Sequence, residues 1–281
     1  MQMHCKIEHI PSVSAVYYAL LKCGYSFHTF ERQPDLIRTV ENRVRTENVP
    51  SFFSEVRQNT CGVYPFWPRA FILEAATFFL SADLKGYSDF DALKSRILSA
   101  ENISFQEKGE ALWNWLRGFP DALAAVMHGE GFRAYLEWEK EWIREQNIRY
   151  ADELRRLDGL LRRCLKTYDP PCRKIRIVLD PIKCVYASDF HFSGDSFIIT
   201  AGELRIASVV HEYLHTIVHP LLGRIRTERK EYPGIDGSYY LDRSERGYRN
   251  AFEEYAVRSL TDALMREECP ADLSAFLQSI N

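Results

Sequence analysis

An α+β fold, mostly helical and with only a small sheet, is what this sequence predicts, and three observations predict it. Apolar residues recur at three- and four-residue steps through most of residues 1–168. The triplet Asp169-Pro170-Pro171 ends that pattern. The chain then becomes β-branched and alternating before two further helical segments. This organisation gives a helical region over 1–169 and an α+β region over 170–281. No Ser/Gly-rich linker follows the two prolines, so the regions are expected to pack on one another.

In chain order, residues 12–21, 35–48, 69–80 and 90–98 carry helical spacing, with Pro or Gly between them. From residue 107 the helical signal strengthens, and Ile143, Tyr150, Leu154, Leu157, Leu161 and Leu165 form one apolar stripe. Trp113, Trp115, Trp138 and Trp142 lie in helical segments and read as core rather than as a ligand groove. Residues 174–179 read as a strand with Ile175, Ile177 and Leu179 on one face. After a Gly194-Asp195 turn, 196–200 give a second strand. A helix then runs from Leu204 to His219, where Pro220 is expected to stop it. Residues 224–247 read as a long polar loop, and a helix holding Phe252 to Arg258 follows.

Composition narrows the function classes. The 281 residues are 46% hydrophobic and 27% charged, ordinary globular usage. A net charge of −3 gives no electrostatic footprint for nucleic acid or for an anionic membrane surface. No run approaches the ~18 apolar residues of a membrane span, and Pro11, Ser12 and Ser14 interrupt the N-terminal apolar stretch, which argues against a signal peptide. Seven scattered cysteines (Cys5, Cys23, Cys61, Cys164, Cys172, Cys184, Cys269) contain no CxxC and read as free thiols of a cytoplasmic protein.

The chemistry is concentrated in His211-Glu212-Tyr213-Leu214-His215. Two histidines four apart on a helix project their imidazoles from one face, one turn apart, as two ligands of a tetrahedral zinc must. Glu212 points about 100° further round, where its carboxylate can take a proton from a water without replacing it as a ligand. The competing reading, two hydrogen-bonded core histidines, is weakened by the apolar surroundings (Val209, Val210, Leu214, Ile217, Val218), in which three polar side chains are costly without a purpose.

The strand 197–200, the helix with His211 to His215 and the later segment Phe252-Glu253-Glu254-Tyr255-Ala256-Val257-Arg258 together resemble the gluzincin clan of thermolysin-like zinc peptidases. The likeness is greatest to bacterial families whose HExxH helix ends in a polar-Pro pair, here His219-Pro220, and which carry a later Glu-x-x-Val-Arg. It covers residues 174–265 and is silent on the N-terminal half. It implies a helical N-terminal region packed on a zincin-like C-terminal region, with Zn2+ held by His211, His215 and Glu254. Glu212 would be general base and a peptide or protein the substrate, and the strand 196–200 would bind substrate backbone as an edge. Periodicity points instead to Glu253, which aligns with Val257, Leu260 and Leu264; the resemblance is followed here. Arg258, one turn beyond Glu254, could orient a ligand carboxylate, and His219 reads as a supporting residue rather than a ligand. His191 reads as a solvated loop histidine, and one of Tyr239, Tyr240 or Tyr248 is a candidate oxyanion donor. Two rivals stand: a non-catalytic zinc-binding regulatory or interaction protein on the same scaffold, and a metal-dependent hydrolase of a non-peptide amide.

Overall fold

The computed structural model describes residues 5–25, 34–44, 48–56, 70–78, 94–95, 109–183, 185, 188–193, 195–241 and 243–281. The helix expected over 90–98 (apart from 94–95), Gly194 of the expected turn, Cys61 and Cys184 lie outside them. The chain forms two compact units, neither continuous in sequence: 6–150 with 175–204, and 1–5 with 151–174 and 205–281. The expected boundary at 169/170 falls inside the second of these, and the strands group with the N-terminal helices.

In the larger unit, α1 (Pro11–Lys22) begins on a proline whose missing N–H costs nothing in a first turn. Val13, Ala15, Val16, Tyr17, Tyr18, Ala19 and Leu20 are all fully buried, so α1 is apolar all round and central. The unit also holds α2 (Pro34–Arg43), α3 (Phe71–Thr77), α4 (Glu110–Leu116), α5 (Phe119–His128) and α6 (Glu130–Arg149); α3, α5 and α6 pack on α1, α2 packs on α6 and α4 on α5. The tryptophan expectation holds for Trp113, which is buried in the core, while Trp115 and Trp138 pack against it. Trp115 stacks on Phe52 at 4.4 Å between ring centres. The buried face of α6 runs Phe132, Tyr135, Glu139, Ile143, Gln146. Tyr150 caps that helix, so the single stripe expected from Ile143 to Leu165 is divided between two helices in different units.

The sheet has the order β1-β2-β4-β3, with β1 at Ile7–Glu8, β2 at Lys174–Leu179, β3 at Ser188–Ser193 and β4 at Ser196–Ala201. β1 runs parallel to β2 with Ile7 opposite Ile177, and β3 and β4 pair antiparallel from Ser188–Ala201 to Ser193–Ser196. One expectation is corrected here: 196–200 is not an edge. β4 lies between β2 and β3, both of its hydrogen-bonding sides are engaged, and it cannot take up substrate by strand addition.

β3 escapes a search for apolar alternation because its alternation is inverted. Phe190 and Phe192 are half-buried and stack around Phe197, while His191 is fully buried. This corrects the reading of His191 as a solvated loop residue. Its Nε2 lies 2.9 Å from Glu74 Oε2, and Glu74, also fully buried, accepts from Lys183 Nζ at 2.7 Å, from Tyr17 and from Thr200. Lys183 also pairs with Asp189.

Burial pushes the Glu74 carboxyl up, but Lys183 and His191 outweigh it and hold it at about 2. Burial pushes Lys183 down, and Asp189 and Glu74 outweigh it and raise the ammonium above its ordinary value. A carboxylate depressed by folding stabilises above its unfolded pKa and loses that contribution as pH falls; an ammonium raised by folding stabilises below its unfolded pKa and loses it as pH rises. Between about pH 5 and about pH 10 the pair therefore contributes fully, and the stability of the larger unit should decline on both sides. Lys183→Met, which strands a buried carboxylate, should cost about 3–5 kcal/mol at neutral pH in denaturant titrations. Parent-like stability would show that the pair does not form.

The smaller unit holds α7 (Ala151–Tyr168), α8 (Ile206–Leu222), α9 (Glu245–Met265) and α10 (Leu273–Ile280), with α8 packed on both α7 and α9. The buried stripe of α7 is Leu154, Leu157, Leu160, Leu161 and Cys164. α8 runs two residues past Pro220 instead of stopping before it. A proline in a last turn forfeits a single backbone hydrogen bond, which the packed face of the helix offsets. Ser244 caps α9 by accepting from Gly247 N–H, and Asp272 caps α10 by accepting from Ala275 N–H. No helix among the described residues is long and apolar enough to cross a membrane. Cys5, Cys23, Cys164, Cys172 and Cys269 are free thiols, as expected of them.

Candidate metal centre

The centre is assembled by two helices of the smaller unit. α8 buries Val209, Val210, Tyr213, Leu214, Ile217 and Val218, and Tyr213 anchors it by donating its hydroxyl to the Cys172 carbonyl at 2.7 Å. With those positions taken by the core, the face carrying His211 and His215 is turned to α9, where Glu253 and Glu254 sit in the third turn after the Ser244 cap. His211, His215 and Glu254 each offer one ligand atom, all within 4.8 Å of one another. Glu254 Oε2 lies 3.6 Å from His211 Nε2 and 3.6 Å from His215 Nε2. The two imidazole rings are 5.1 Å apart at 80°. Zinc bonds of about 2.0–2.2 Å at tetrahedral angles put ligand atoms roughly 3.3–3.6 Å apart, so the donor set fits zinc in its chemistry and both Glu254–histidine separations fit in spacing.

Neighbouring side chains hold the donors in these orientations. Glu253 accepts at Oε1 from His215 Nδ1 (2.9 Å) and at Oε2 from His219 Nδ1 (2.8 Å), bridging the two imidazoles. His215 donates its Nδ1–H to Glu253, an arrangement that in a neutral imidazole leaves Nε2 as the free acceptor on the side of Glu254. Both glutamates that sequence reasoning weighed therefore take part in different capacities: Glu254 faces the donor nitrogens, and Glu253 supports the far side of the ring. Arg258 donates from Nε to Glu254 Oε1 at 2.7 Å and leaves Oε2 toward the histidines, as its spacing suggested.

Electrostatics follow the geometry. Burial pushes the Glu254 carboxyl up, but His211 and Arg258 outweigh it and hold it at about 2. Burial also pushes Glu253 up, and its hydrogen bonds to His215 and His219 bring it below the usual carboxylate range. Both groups are thus anionic at neutral pH, the state in which a carboxylate can ligate or orient.

The segment expected as a loop holds a short 3-10 turn at Gly237–Tyr240, initiated by Asp236, whose side chain accepts from Ser238 N–H. Arg258 reaches this segment too, donating to the Gly234 carbonyl at 2.7 Å; Gly234 takes φ +74°, a left-handed conformation that glycine adopts without strain. Of the three candidate tyrosines, Tyr239 is the one under the influence of the site. Burial raises its phenol, and the charges of Glu254, Glu212 and Glu253 raise it further. Tyr240 instead accepts from Tyr232 N–H at 2.7 Å and packs on Tyr248. Glu212 is half-buried on α8, beside His211 in sequence. The Gly234 carbonyl and the bridging role of Glu253 have no signature in residue spacing; both depend on how the loop and helix fold back.

No protein-family model matches the chain, and neither a curated protein nor a solved structure matches it.

Proposed function

We propose that the protein is a zinc-dependent peptidase of gluzincin type, with His211, His215 and Glu254 as ligands and Glu212 as general base. The observation that carries this reading is the convergence of two imidazole Nε2 atoms on one Glu254 oxygen at equal distances, with Glu253 behind His215. Zinc bound there would acidify a water and polarise a carbonyl. Glu212 takes the proton of the attacking water and passes it to the departing amine. Tyr239 donates a hydrogen bond to the oxygen that gains charge at the scissile carbon. Arg258, tied to both Glu254 and Gly234, keeps the ligand carboxylate in register with the loop that bears Tyr239. The free thiols fit a reducing compartment, and we place the protein in the cytoplasm.

The test is metal content. Protein purified without added zinc should carry about one zinc per chain, as a single three-ligand site implies, and His211→Ala should carry almost none while keeping the parent circular dichroism. Full zinc in that variant would remove the site from consideration.

A further inference from the structure

The loop that joins α8 to α9 is tied to α10 by one side chain. Asn281, directly after α10, donates from Nδ2 to the Arg226 carbonyl at 2.8 Å. Its Oδ1 accepts from the Glu228 N–H at 3.2 Å and from the Tyr232 hydroxyl at 3.0 Å. Lys230 Nζ donates to its main-chain oxygen. Every second residue from 226 to 232 is thereby bound to Asn281, and an amide suits the task because it offers donor and acceptor side by side. The segment has little else to order it. Arg226, Glu228, Arg229, Lys230 and Glu231 are all exposed, and a stretch that buries so little apolar surface opens easily unless hydrogen bonds hold it.

Tyr232 passes this restraint on to the candidate site. Its ring is buried and lies 5.3 Å from the rings of both Phe252 and Tyr255, the residues that flank Glu253 and Glu254 on α9. Its N–H donates to the Tyr240 hydroxyl at 2.7 Å, which holds the 3-10 turn that bears Tyr239. Its carbonyl accepts from the Ile235 N–H at 3.2 Å and closes the turn in which Gly234 takes φ +74°. The Gly234 carbonyl is the one to which Arg258, the partner of Glu254, donates. Two hydrogen bonds in series thus run from Asn281 to the tyrosine next to Tyr239. Without Asn281 the Tyr232 hydroxyl retains the Glu228 carbonyl at 3.3 Å, an acceptor on the same exposed segment.

We propose that Asn281 is a positioning residue of the candidate site: it orders residues 226–232 and, through Tyr232, sets the turn bearing Tyr239 against α9. It acts at a distance, since its hydrogen bonds go to the loop and none goes to a histidine or glutamate of the centre. Its effect on turnover rests on the peptidase reading above, whereas its effect on the loop rests on the hydrogen bonds alone.

The experiment compares Asn281→Ala with the parent as zinc-loaded, full-length protein in two measurements. Limited trypsin digestion read by mass spectrometry should show cleavage after Arg226, Arg229 and Lys230 about tenfold faster in the variant, with cleavage elsewhere unchanged, because the cut rate follows the population of the open loop. On fluorescein-labelled casein, kcat should fall about tenfold with KM within about twofold, the signature of a displaced group rather than of lost substrate contact. Because that loss passes through Tyr239, Asn281→Ala should cost nothing further in a Tyr239→Phe background, whereas a general structural defect would multiply with it. Cleavage of the loop at the parent rate, or multiplicative losses in kcat, would overturn the proposal. A parent without turnover on casein, or a Tyr239→Phe variant with parent turnover, counts against the functional reading and not against the clamp, and the tryptic comparison then decides. Should Asn281→Ala fold poorly, Tyr232→Phe, which removes only the hydroxyl bound to Oδ1, takes its place: faster cleavage at the same three sites supports the clamp, and the parent rate overturns it.

Discussion

Glu212→Gln is expected to keep its zinc and its fold while losing roughly 100- to 10,000-fold in kcat on any peptide the parent cleaves. The amide is isosteric with the carboxylate, so packing on α8 is preserved, and the proposed ligand set of His211, His215 and Glu254 is untouched. What disappears is the base. Because the lost contact belongs to the transition state, kcat and kcat/KM should fall together with KM little changed. A responsive peptide library read by mass spectrometry, with zinc measured on the same samples, supplies the comparison. Equal turnover by the two proteins would end the catalytic assignment and favour a zinc-holding interaction protein.

A second large effect separates the two adjacent glutamates. Glu254→Gln removes a charged donor that faces both Nε2 atoms and should nearly abolish zinc retention. Glu253→Gln removes the charge and turns one of the two oxygens that accept from His215 and His219 into an NH2 group, and should weaken zinc about 10- to 100-fold, the usual cost of impairing such a support. Competition with a chromogenic chelator measures both. If the order is reversed, with Glu253→Gln the more damaging, the ligand helix is rotated from the arrangement described here and Glu253 is the ligand.

How far the centre can be read from sequence depends on whether each interaction is local. His211 and His215 are fixed relative to each other by one helical turn, and Arg258 is fixed to Glu254 by another, so spacing alone suffices. The choice between Glu253 and Glu254 is not local. Periodicity points to Glu253 on the buried stripe, and it is indeed turned inward, yet toward the back of His215; α9 buries residues on several faces, so its widest apolar stripe does not mark the glutamate that faces both Nε2 atoms. The sheet shows the same limit from the other side. β2 and β4 carry β-branched runs and were visible, whereas β3 hides its polar residues inside because Glu74 and Lys183 wait there, more than a hundred residues apart in sequence. β1 is two residues long and exists only by pairing with β2. The position of β4 between two neighbours could not be inferred from its own composition.

The chain passes between its two compact units at residues 5/6, 150/151, 174/175 and 204/205. The histidines and glutamates of the centre all lie beyond the last of these passages, which makes residues 170–281 look like a natural piece to clone. Such a fragment would lose α7, on which α8 rests, and would carry β2, β3 and β4 without the helices of their own unit. For gene rearrangement the motif-bearing segment is thus not a portable cassette. A duplication or fusion that moved it alone would carry the candidate ligands and leave behind α7, part of the scaffold that aims them.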